Sequence, residues 1–213
     1  MIEALRQKKK FSHLLIMDDD VMIIPESINR LYTMLKLQKA EHLKSFVVGA
    51  MLKLDNMEVF HEDVGIVTPE GYFQMKKGDH FLDNPYDCAI IDGKWRPYND
   101  QYAGWWFCCI PMSHVTEKSL PLPLFIRGDD VEFALRNNVD VLSMNGICIW
   151  HKSFELKFSA AMEHYQVLRN SLVIRACHEN LMHLPFLEQC DVLIKRALCG
   201  YLYYSAELIL DSI

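Results

Sequence analysis

Three consecutive carboxylates follow a short apolar run near the start of the sequence. The run covers residues 11–17, and Asp18, Asp19 and Asp20 come directly after it. Adjacent acids stay ionised together when a positive group lies among them, and carboxylate oxygens suit Mg²⁺ or Mn²⁺. Since alternate side chains on an extended backbone share a side, we expect Asp18 and Asp20 to bind one ion and Asp19 to face elsewhere. The alternative is a solvated turn that caps the following helix.

A second acidic pair, Asp129 and Asp130, follows Arg127 and Gly128 in the segment RGDDVEF. The pattern places both carboxylates at the N-terminus of a predicted helix, where the helix dipole favours their ionised forms. A positioned, ionised carboxylate can act as a general base toward a hydroxyl group. An ordinary N-cap aspartate with an acidic first turn is the alternative interpretation.

Two further motifs contain ring side chains. His151 follows Trp150 at the end of a predicted strand. Its imidazole nitrogen would complete a metal site and favour Mn²⁺ over Mg²⁺, and a hydrogen-bonded structural histidine is the alternative.

Trp105 and Trp106 follow Gly104 before another strand, where adjacent side chains point to opposite faces. We expect one indole to face a cleft, where it can pack on a sugar ring, with two core residues as the alternative.

The elements that must position these motifs alternate between strands and helices along most of the chain. Apolar runs predict strands at residues 11–17, 45–52, 106–110, 139–142 and 147–150. Helical spacing predicts helices at 2–9, after Pro25, at 113–118, at 129–137, from 155 onward and at 186–210. Glycines and prolines between residues 55 and 104 predict a hairpin and a long loop. The order predicts an α/β core over residues 1–152, followed by a helical C-terminal segment over 153–213.

Composition restricts the class of protein. With 213 residues, 51% hydrophobic and 23% charged, the chain is long enough for one domain and is not of the disordered class. A net charge of −6 argues against a nucleic-acid partner, including the polymerase palm that a GDD motif would suggest. No apolar run reaches the roughly 20 residues of a membrane span. The seven cysteines form no C-x-x-C pair and are interpreted as reduced thiols of a cytoplasmic protein, with Cys108 and Cys109 in the core.

Taken in order, these motifs resemble those of family 2 glycosyltransferases of the GT-A type, and more specifically of bacterial galactofuranosyltransferases. The resemblance rests on DDD after a strand, GWW before a strand, GDDVEF, WH and HYQVLRN. It runs from about residue 11 to about residue 170. It implies a partial GT-A fold, in which a Rossmann-like mixed sheet is flanked by helices.

The resemblance also implies a role for each motif. Asp18, Asp20 and His151 match the ligands that hold Mn²⁺ or Mg²⁺ on a nucleotide diphosphate. Asp130 matches the catalytic base, and Asp129 matches a neighbour that contacts the donor sugar or the acceptor. The remaining candidates for substrate binding are Asp19, Trp105, Trp106 and Tyr165, the last together with Arg169 and Asn170. Glu62, in the segment His61-Glu62-Asp63, is a further candidate for a donor-sugar contact, with a solvated loop as the alternative.

The implied activity is an inverting, metal-dependent transfer of a sugar from a UDP-sugar, such as UDP-galactofuranose, to a hydroxyl of a saccharide or lipid-linked saccharide acceptor. The setting would be cell-surface polysaccharide synthesis in the cytoplasm, at the inner face of the membrane. Asp130 would take the acceptor proton while the ion neutralises the departing diphosphate. The alternatives are a truncated, non-catalytic binding or interaction module, and a structural α/β domain whose acids are helix caps.

The part of the chain before Asp18 departs from the family. In the family, nucleotide-binding strands and helices precede the acidic motif, whereas one helix and one strand precede it here. We therefore expect the uridine-binding half to be absent and to be supplied by a longer enzyme or another subunit. Such a sheet would have an exposed apolar edge, which favours assembly as a homo-oligomer. An apolar, aromatic face on the C-terminal helices allows peripheral membrane contact, with packing on the core or on another subunit as the alternative.

Overall fold

A six-stranded sheet and a three-stranded sheet form the centre of the protein. The structure is a computed structural model that describes residues 1–93, 101–153, 158–180 and 185–213. The described strands are β1 (His13–Met17), β2 (Phe46–Lys53), β3 (Val59–Glu62), β4 (Gly65–Val67), β5 (Phe73–Met75), β6 (His80–Phe81), β7 (Gln101–Tyr102), β8 (Phe107–Pro111) and β9 (Val141–His151). The described α-helices are α1 (Ile2–Arg6), α2 (Pro25–Leu37), α3 (Pro85–Gly93), α4 (Asp129–Asn137), α5 (Val167–Cys177), α6 (Phe186–Cys199) and α7 (Tyr203–Asp211).

Strand β2 has the most neighbours in the larger sheet. Its first half pairs antiparallel with β8, its second half pairs antiparallel with β3, and β9 runs parallel to its whole length. β8 also pairs antiparallel with β1, and β3 with β6. The smaller sheet has the order β5-β4-β7 and is antiparallel. The expected mixed α/β architecture with a helical C-terminal part is confirmed. The Rossmann-like GT-A arrangement stays a prediction, because the described strands pair mainly antiparallel.

The main apolar core lies where α4 packs on the larger sheet. Phe46 of β2 stacks on Phe133 of α4 with ring centroids 5.8 Å apart, and both side chains are buried. Trp106 donates its indole N–H to the carbonyl oxygen of Gly49 at 2.9 Å, which ties the segment before β8 to the middle of β2. Burial of these large rings supplies much of the free energy that holds helix and sheet together.

The two cysteines expected in the core are there. Cys108 and Cys109 of β8 are buried, at 0% and 2% exposure. All seven cysteines lie among the described residues, and each is a free thiol. The interpretation of these two residues as small core side chains is therefore confirmed.

Several predicted boundaries lie close to the observed ones, and two differ for a clear reason. The helix at 129–137 has the expected limits. The strands expected at 139–142 and 147–150 form one strand, β9, because Gly146 takes a φ of +87° where the pairing with β2 changes register. The helix expected at 186–210 is two helices, because Tyr201 takes a φ of +57° directly after α6 ends. A left-handed residue cannot continue an α-helix.

Residues 55–104 contain more regular structure than the expected hairpin and long loop. Strands β3 to β7 and helix α3 lie in this range, and residues 94–100 are outside the described part. The helix expected at 2–9 ends at Arg6, and the one expected at 113–118 consists of two 3₁₀ turns. The start of the helix expected from residue 155 lies outside the described part, which omits residues 154–157. The described remainder contains a π-helical turn, Met162–Gln166, followed by α5.

The sequence predicts an exposed apolar sheet edge, and β1 lies at one end of the strand order of the larger sheet. Among the described strands, β1 pairs with β8, and Phe11 and Met17 near its two ends are exposed. Leu198, Leu202 and Tyr204 on the C-terminal helices are also exposed. Self-association through the edge and peripheral membrane contact through the helices stay predictions. No helix in the described ranges is long and apolar enough to cross a bilayer.

Replacing Gly49 with alanine is expected to destabilise the fold. A Cβ at this position would lie 2.6 Å from a ring carbon of the buried Phe107. Overpacking of this kind costs about 1–3 kcal/mol, so urea denaturation of Gly49→Ala should show a loss of that size. Gly200→Ala is the matched control, because the nearest atoms to its Cβ lie at 3.5 Å and beyond. Equal stability of the two variants would contradict the packing described for β2 and β8.

Candidate active site

Two backbone hydrogen bonds join the segment after the acidic triplet to the end of β9. Met22 and Trp150 each donate an N–H to the other's carbonyl oxygen, both at 2.8 Å. The bridge places His151, the last residue of β9, beside the turn that contains residues 18–20. Two parts of the chain that are far apart in sequence therefore meet at one point.

Asp18, Asp20 and His151 form a compact group of ligand atoms, one from each side chain and all within 4.8 Å of one another. Nε2 of His151 lies 3.2 Å from Oδ1 of Asp20 and 3.8 Å from Oδ2 of Asp18. The imidazole is buried, whereas the two carboxylates are exposed. This combination of two carboxylates and one imidazole suits Mn²⁺, and also Mg²⁺ with water as the remaining ligands.

The tautomer of His151 supports the same conclusion. Its Nδ1 lies 2.6 Å from the carbonyl oxygen of Lys152, and a carbonyl oxygen is an acceptor, so Nδ1 carries the proton. In the neutral ring the lone pair of Nε2 then faces the carboxylates of Asp18 and Asp20. A cation placed between these three electron-rich groups stabilises them together. The residues present therefore fit a divalent ion.

The sequence predicted this grouping, but for a different reason from the one observed. β1 ends at Met17, and the chain turns at Asp19 and Asp20, so the extended backbone does not continue as far as Asp20. Asp18 and Asp20 meet His151 because the turn and the bridge to Trp150 bring them there. Asp19 is exposed and lies outside the group of ligand atoms.

A cavity of about 620 Å³ opens beside this group, and Asp18 belongs to its wall. Three more carboxylates, Glu62, Asp129 and Asp130, lie in the same wall, together with the cation Arg127. The other lining residues are Ile16, His61, Phe73, Gln74, Met75, Tyr102, Trp105, Trp106, Ile126, Gly128, Val131 and Met162. The cavity thus has acidic groups from three separate motifs of the sequence, set among aromatic and aliphatic side chains.

Two of these carboxyl groups hold protons to unusually high pH. Burial, with the negative charges of Asp130 and Asp63, raises the pKa of Glu62 to about 7, although the charge of Arg127 acts in the opposite direction. Burial, with the negative charge of Asp129, raises the pKa of Asp130 to about 7. Part of the side chain of Asp130 remains accessible to solvent. Carboxyl groups that titrate near neutral pH can both accept and donate protons there, as general acid–base catalysis requires.

The start of α4 fixes the two aspartates. Gly128 takes a φ of +97°, and a Cβ there would lie 2.8 Å from Ile174, so the chain turns sharply against α5 before the helix begins. Oδ1 of Asp130 accepts the backbone N–H of Val131 at 2.7 Å. The apolar residues of the helix are buried in the core: Val131, Phe133, Ala134 and Leu135. An amphipathic helix with a glycine at its N-cap therefore presents Asp129 and Asp130 to the cavity.

The two tryptophans have different environments. Trp105 is partly buried, lines the cavity, and lies edge-on to Phe133 with centroids 5.8 Å apart. Trp106 is 6% exposed and uses its indole N–H in the bond to Gly49, so it contributes to the wall as a core residue. A side chain at Gly104 would collide with the ring of Trp106, which explains the glycine of the GWW motif. Trp105 is the indole better placed to contact a ligand.

Tyr165 does not line the cavity. It lies in the π-helical turn, where the guanidinium of Arg169 is 5.6 Å from its ring centroid. Asn170, in contrast, is buried and donates hydrogen bonds to the carbonyl oxygens of Phe125 and Arg127. The HYQVLRN motif therefore contacts the cavity wall through Asn170.

Arg127 and Tyr102 line the cavity but received no role from the sequence, and His61 was considered only within the segment His61-Glu62-Asp63. His61 lies beside Glu62, and its Nδ1 is 2.6 Å from Oδ1 of Asp79, which orients the ring. Arg127 directly precedes the GDD motif, and this position in the sequence could have indicated that it lies at the same site. Tyr102 stands two residues before Gly104 and gave no signal, because its proximity depends on the pairing of β7 with β4.

The fold and site together define a mixed α/β protein with a candidate divalent-metal group beside a carboxylate-lined cavity. No protein-family model matches the chain. The chain is 33% identical over 190 residues to galactofuranosyltransferase GlfT2 of Mycobacterium tuberculosis. It is 30% identical over 190 residues to galactofuranosyltransferase GlfT2 of Mycolicibacterium smegmatis. Each match covers 84% of this chain and 29% of the relative, so the chain spans less than a third of the length of the relatives that it matches.

These matches make the chain a distant homologue of part of two glycosyltransferases. The expected resemblance to galactofuranosyltransferases is confirmed at that level. The match does not show the donor, the acceptor or the metal dependence of this chain.

Mn²⁺ should bind to the wild-type chain with saturable heat in calorimetry, and both Asp20→Ala and His151→Ala should abolish that heat. The reason is that each variant removes one of three converging ligand atoms. Asp19→Ala is the matched control, because Asp19 is in the same turn but outside the group, and it should bind Mn²⁺ like the wild type. Absence of binding in the wild type would identify residues 18–20 as a solvated segment that holds no metal ion.

Stability should fall as the pH rises toward neutrality, because of Asp130 and Glu62. Their ordinary pKa values are 3.8 and 4.5, and both are raised to about 7 in the folded protein. Between those limits the folded state holds protons that the unfolded state has released, so the free energy of unfolding decreases with pH and levels off above about 7.

Asp130→Asn removes one of these titrations. Urea denaturation at pH 8 should show this variant to be about 1–3 kcal/mol more stable than the wild type, with little difference at pH 4. Asp140→Asn, at an exposed position, is the control and should follow the wild type at both pH values. A constant difference between Asp130→Asn and the wild type across this range would show that Asp130 does not titrate as described.

Proposed function

We propose that this chain carries the metal-binding and catalytic part of an inverting glycosyltransferase. The enzyme would move a sugar, such as galactofuranose, from a UDP-sugar to a hydroxyl of a saccharide or lipid-linked saccharide. The observation that carries the proposal is that Asp18, one of the three ligand residues that lie together with Asp20 and His151, lines the same cavity as the carboxyls of Asp130 and Glu62. Homology to part of two galactofuranosyltransferases supports the same class of reaction.

Asp18, Asp20 and His151 would hold the divalent cation. When bound, Mn²⁺ or Mg²⁺ supplies a Lewis acid that neutralises the diphosphate of the leaving group. Asp18 belongs both to the ligand group and to the cavity wall, so the diphosphate end of the donor would lie at that side of the cavity. The imidazole of His151 is held in its metal-binding tautomer by the carbonyl of Lys152.

Asp130 would act as the general base. With a pKa of about 7, a substantial fraction is ionised at neutral pH, and the carboxylate is basic enough to take a proton from an attacking hydroxyl. Glu62, also with a pKa of about 7, could donate a hydrogen bond to a sugar hydroxyl while protonated. An inverting displacement needs a base opposite the leaving group, and the cavity has carboxylates in several parts of its wall.

The remaining cavity residues would orient the sugars. Trp105 offers an aromatic surface for the apolar face of a sugar ring, and Tyr102 and His61 lie in the same wall. The cavity volume of about 620 Å³ lies within the range of about 300–1,000 Å³ that is usual for small-molecule sites. Holding donor and acceptor together in this space would lower the barrier by proximity.

The cellular setting follows from the same proposal. A lipid-linked acceptor would place the enzyme at the cytoplasmic face of a membrane, in cell-surface polysaccharide synthesis. Two exposed apolar residues of the C-terminal part, Leu198 in α6 and Leu202 just before α7, would be available for another subunit or for the membrane surface.

Asp130→Asn should lower the kcat for sugar transfer by about 10²–10⁴ fold, because the amide cannot accept the acceptor proton. The assay would supply UDP-galactofuranose, Mn²⁺ and a galactofuranose-containing oligosaccharide, and would follow UDP release and product mass. Mn²⁺ affinity should be unchanged, because Asp130 is outside the ligand group. Asp140→Asn is the exposed control and should retain full activity.

The same assay separates the proposed enzyme from its alternatives. A wild-type chain that binds Mn²⁺ and UDP but transfers no sugar would be a non-catalytic binding module. A chain that binds neither would be a structural domain. Full activity in Asp130→Asn would show that another group is the base.

A further inference from the structure

One face of the helical segment 162–177 contacts the short stretch of chain that leads into α4. Glu163 pairs with Arg127, with Oε2 and Nη1 3.0 Å apart. Asn170 donates from Nδ2 to the carbonyl oxygen of Phe125 at 2.7 Å and to that of Arg127 at 2.6 Å. Ile174 packs against Gly128. The contacts come from positions three or four residues apart, or multiples of that spacing, so they form one stripe along the helix.

The residue between the two bonded carbonyls has an unusual backbone. Ile126 takes a φ of +80°, in a region that β-branched residues rarely occupy. Its side chain is 45% exposed and forms part of the cavity wall. Backbone strain of this kind persists when surrounding contacts impose it, and it is concentrated at functional sites. Three hydrogen bonds surround Ile126: the N–H of Arg127 donates to the carbonyl oxygen of Phe125 at 3.2 Å and closes a tight turn, and Asn170 donates to the carbonyls on both sides.

Asn170 is suited to this task in a way that few residues are. It is 5% exposed, and its Oδ1 accepts a hydrogen bond from Nε2 of Gln166 at 3.2 Å. That bond orients the amide so that its NH₂ group faces the two carbonyls of the strained stretch. Both amide hydrogens are then used, one for each carbonyl. Aspartate has the same shape but no hydrogen to donate, and serine has one.

We infer that Asn170 is a positioning residue, which holds Ile126 in its left-handed conformation and thereby sets the cavity wall and the entry of the chain into α4. Its effect on catalysis rests on the proposed function, because it would act through Asp129 and Asp130. The effect of Asn170 on the conformation of Ile126 is a property of the fold and can be measured without any substrate.

The first test is amide hydrogen exchange of the peptide that contains residues 120–130. Asn170→Asp should speed exchange in this peptide at least tenfold, because both carbonyls lose the hydrogen bond from Asn170 and the left-handed turn opens. Asn29→Asp, an exposed position on α2 with the same change of charge, should leave the peptide unaltered. If Asn170→Asp does not fold, Asn170→Ser takes its place and should give an intermediate rate. Unchanged exchange in a folded variant would overturn the inference.

The second test uses the strained residue itself. Glycine adopts a positive φ without strain, so Ile126→Gly should reduce the dependence on Asn170. In the double variant Ile126→Gly, Asn170→Asp, the increase in exchange should be less than a third of that in Asn170→Asp alone. Independent, additive effects would mean that Asn170 does not act through Ile126.

Steady-state kinetics then test whether the effect of Asn170 on Ile126 influences sugar transfer. Asn170→Asp should lower kcat at least tenfold with a smaller change in KM, and Ile126→Gly in the same chain should restore part of kcat. A merely structural role would lower activity only in proportion to the folded fraction, without this rescue. If the wild-type chain transfers no sugar, the proposed function fails, while the exchange measurements still decide the role of Asn170.

Discussion

The two hydrogen bonds between Met22 and Trp150 are the contact on which the site depends. They are short, at 2.8 Å each, and they join the acidic turn to the last residues of β9. β9 is itself held by its parallel pairing with β2 along the length of both strands. The position of His151 relative to Asp18 and Asp20 is therefore set by backbone hydrogen bonds, which buried peptide groups must form in any case. Without it, the three ligand atoms would belong to unrelated surfaces.

The cavity concentrates negative charge in a partly dry space. Asp18, Glu62, Asp129 and Asp130 all line it, and Arg127 is the cation among the described lining residues. The protein accommodates these charges by keeping protons on Glu62 and Asp130 up to about pH 7. A nucleotide diphosphate is itself an anion, and it would be repelled from this wall unless a cation came with it. The electrostatics of the cavity and the ligand group are thus consistent with each other.

The sequence predicted the parts of the fold that depend on local patterns. The helix at 129–137 has its expected limits because a glycine N-cap, an acidic first turn and an amphipathic spacing all agree there. The grouping of Asp18, Asp20 and His151 was expected from the resemblance, and the structure brings the three together. What could not be predicted depends on distant pairing: the bridge from Met22 to Trp150, the continuity of β9 through Gly146, and the approach of Tyr102 to the cavity. Tyr165 was expected among the substrate-binding residues and lies outside the cavity, because the side of the helix that faces the wall carries Asn170.

The origin of the three ligand atoms has a consequence for folding as well as for chemistry. Asp18 and Asp20 follow β1, and His151 ends β9, so most of the two sheets and α4 lie in the chain between them. A cation bound to all three would close this stretch into a loop and would be released on unfolding. Its binding free energy would then add to the stability of the folded state, in proportion to the logarithm of its concentration. The availability of the divalent ion would thus control how much of the protein is folded, in addition to how fast it reacts.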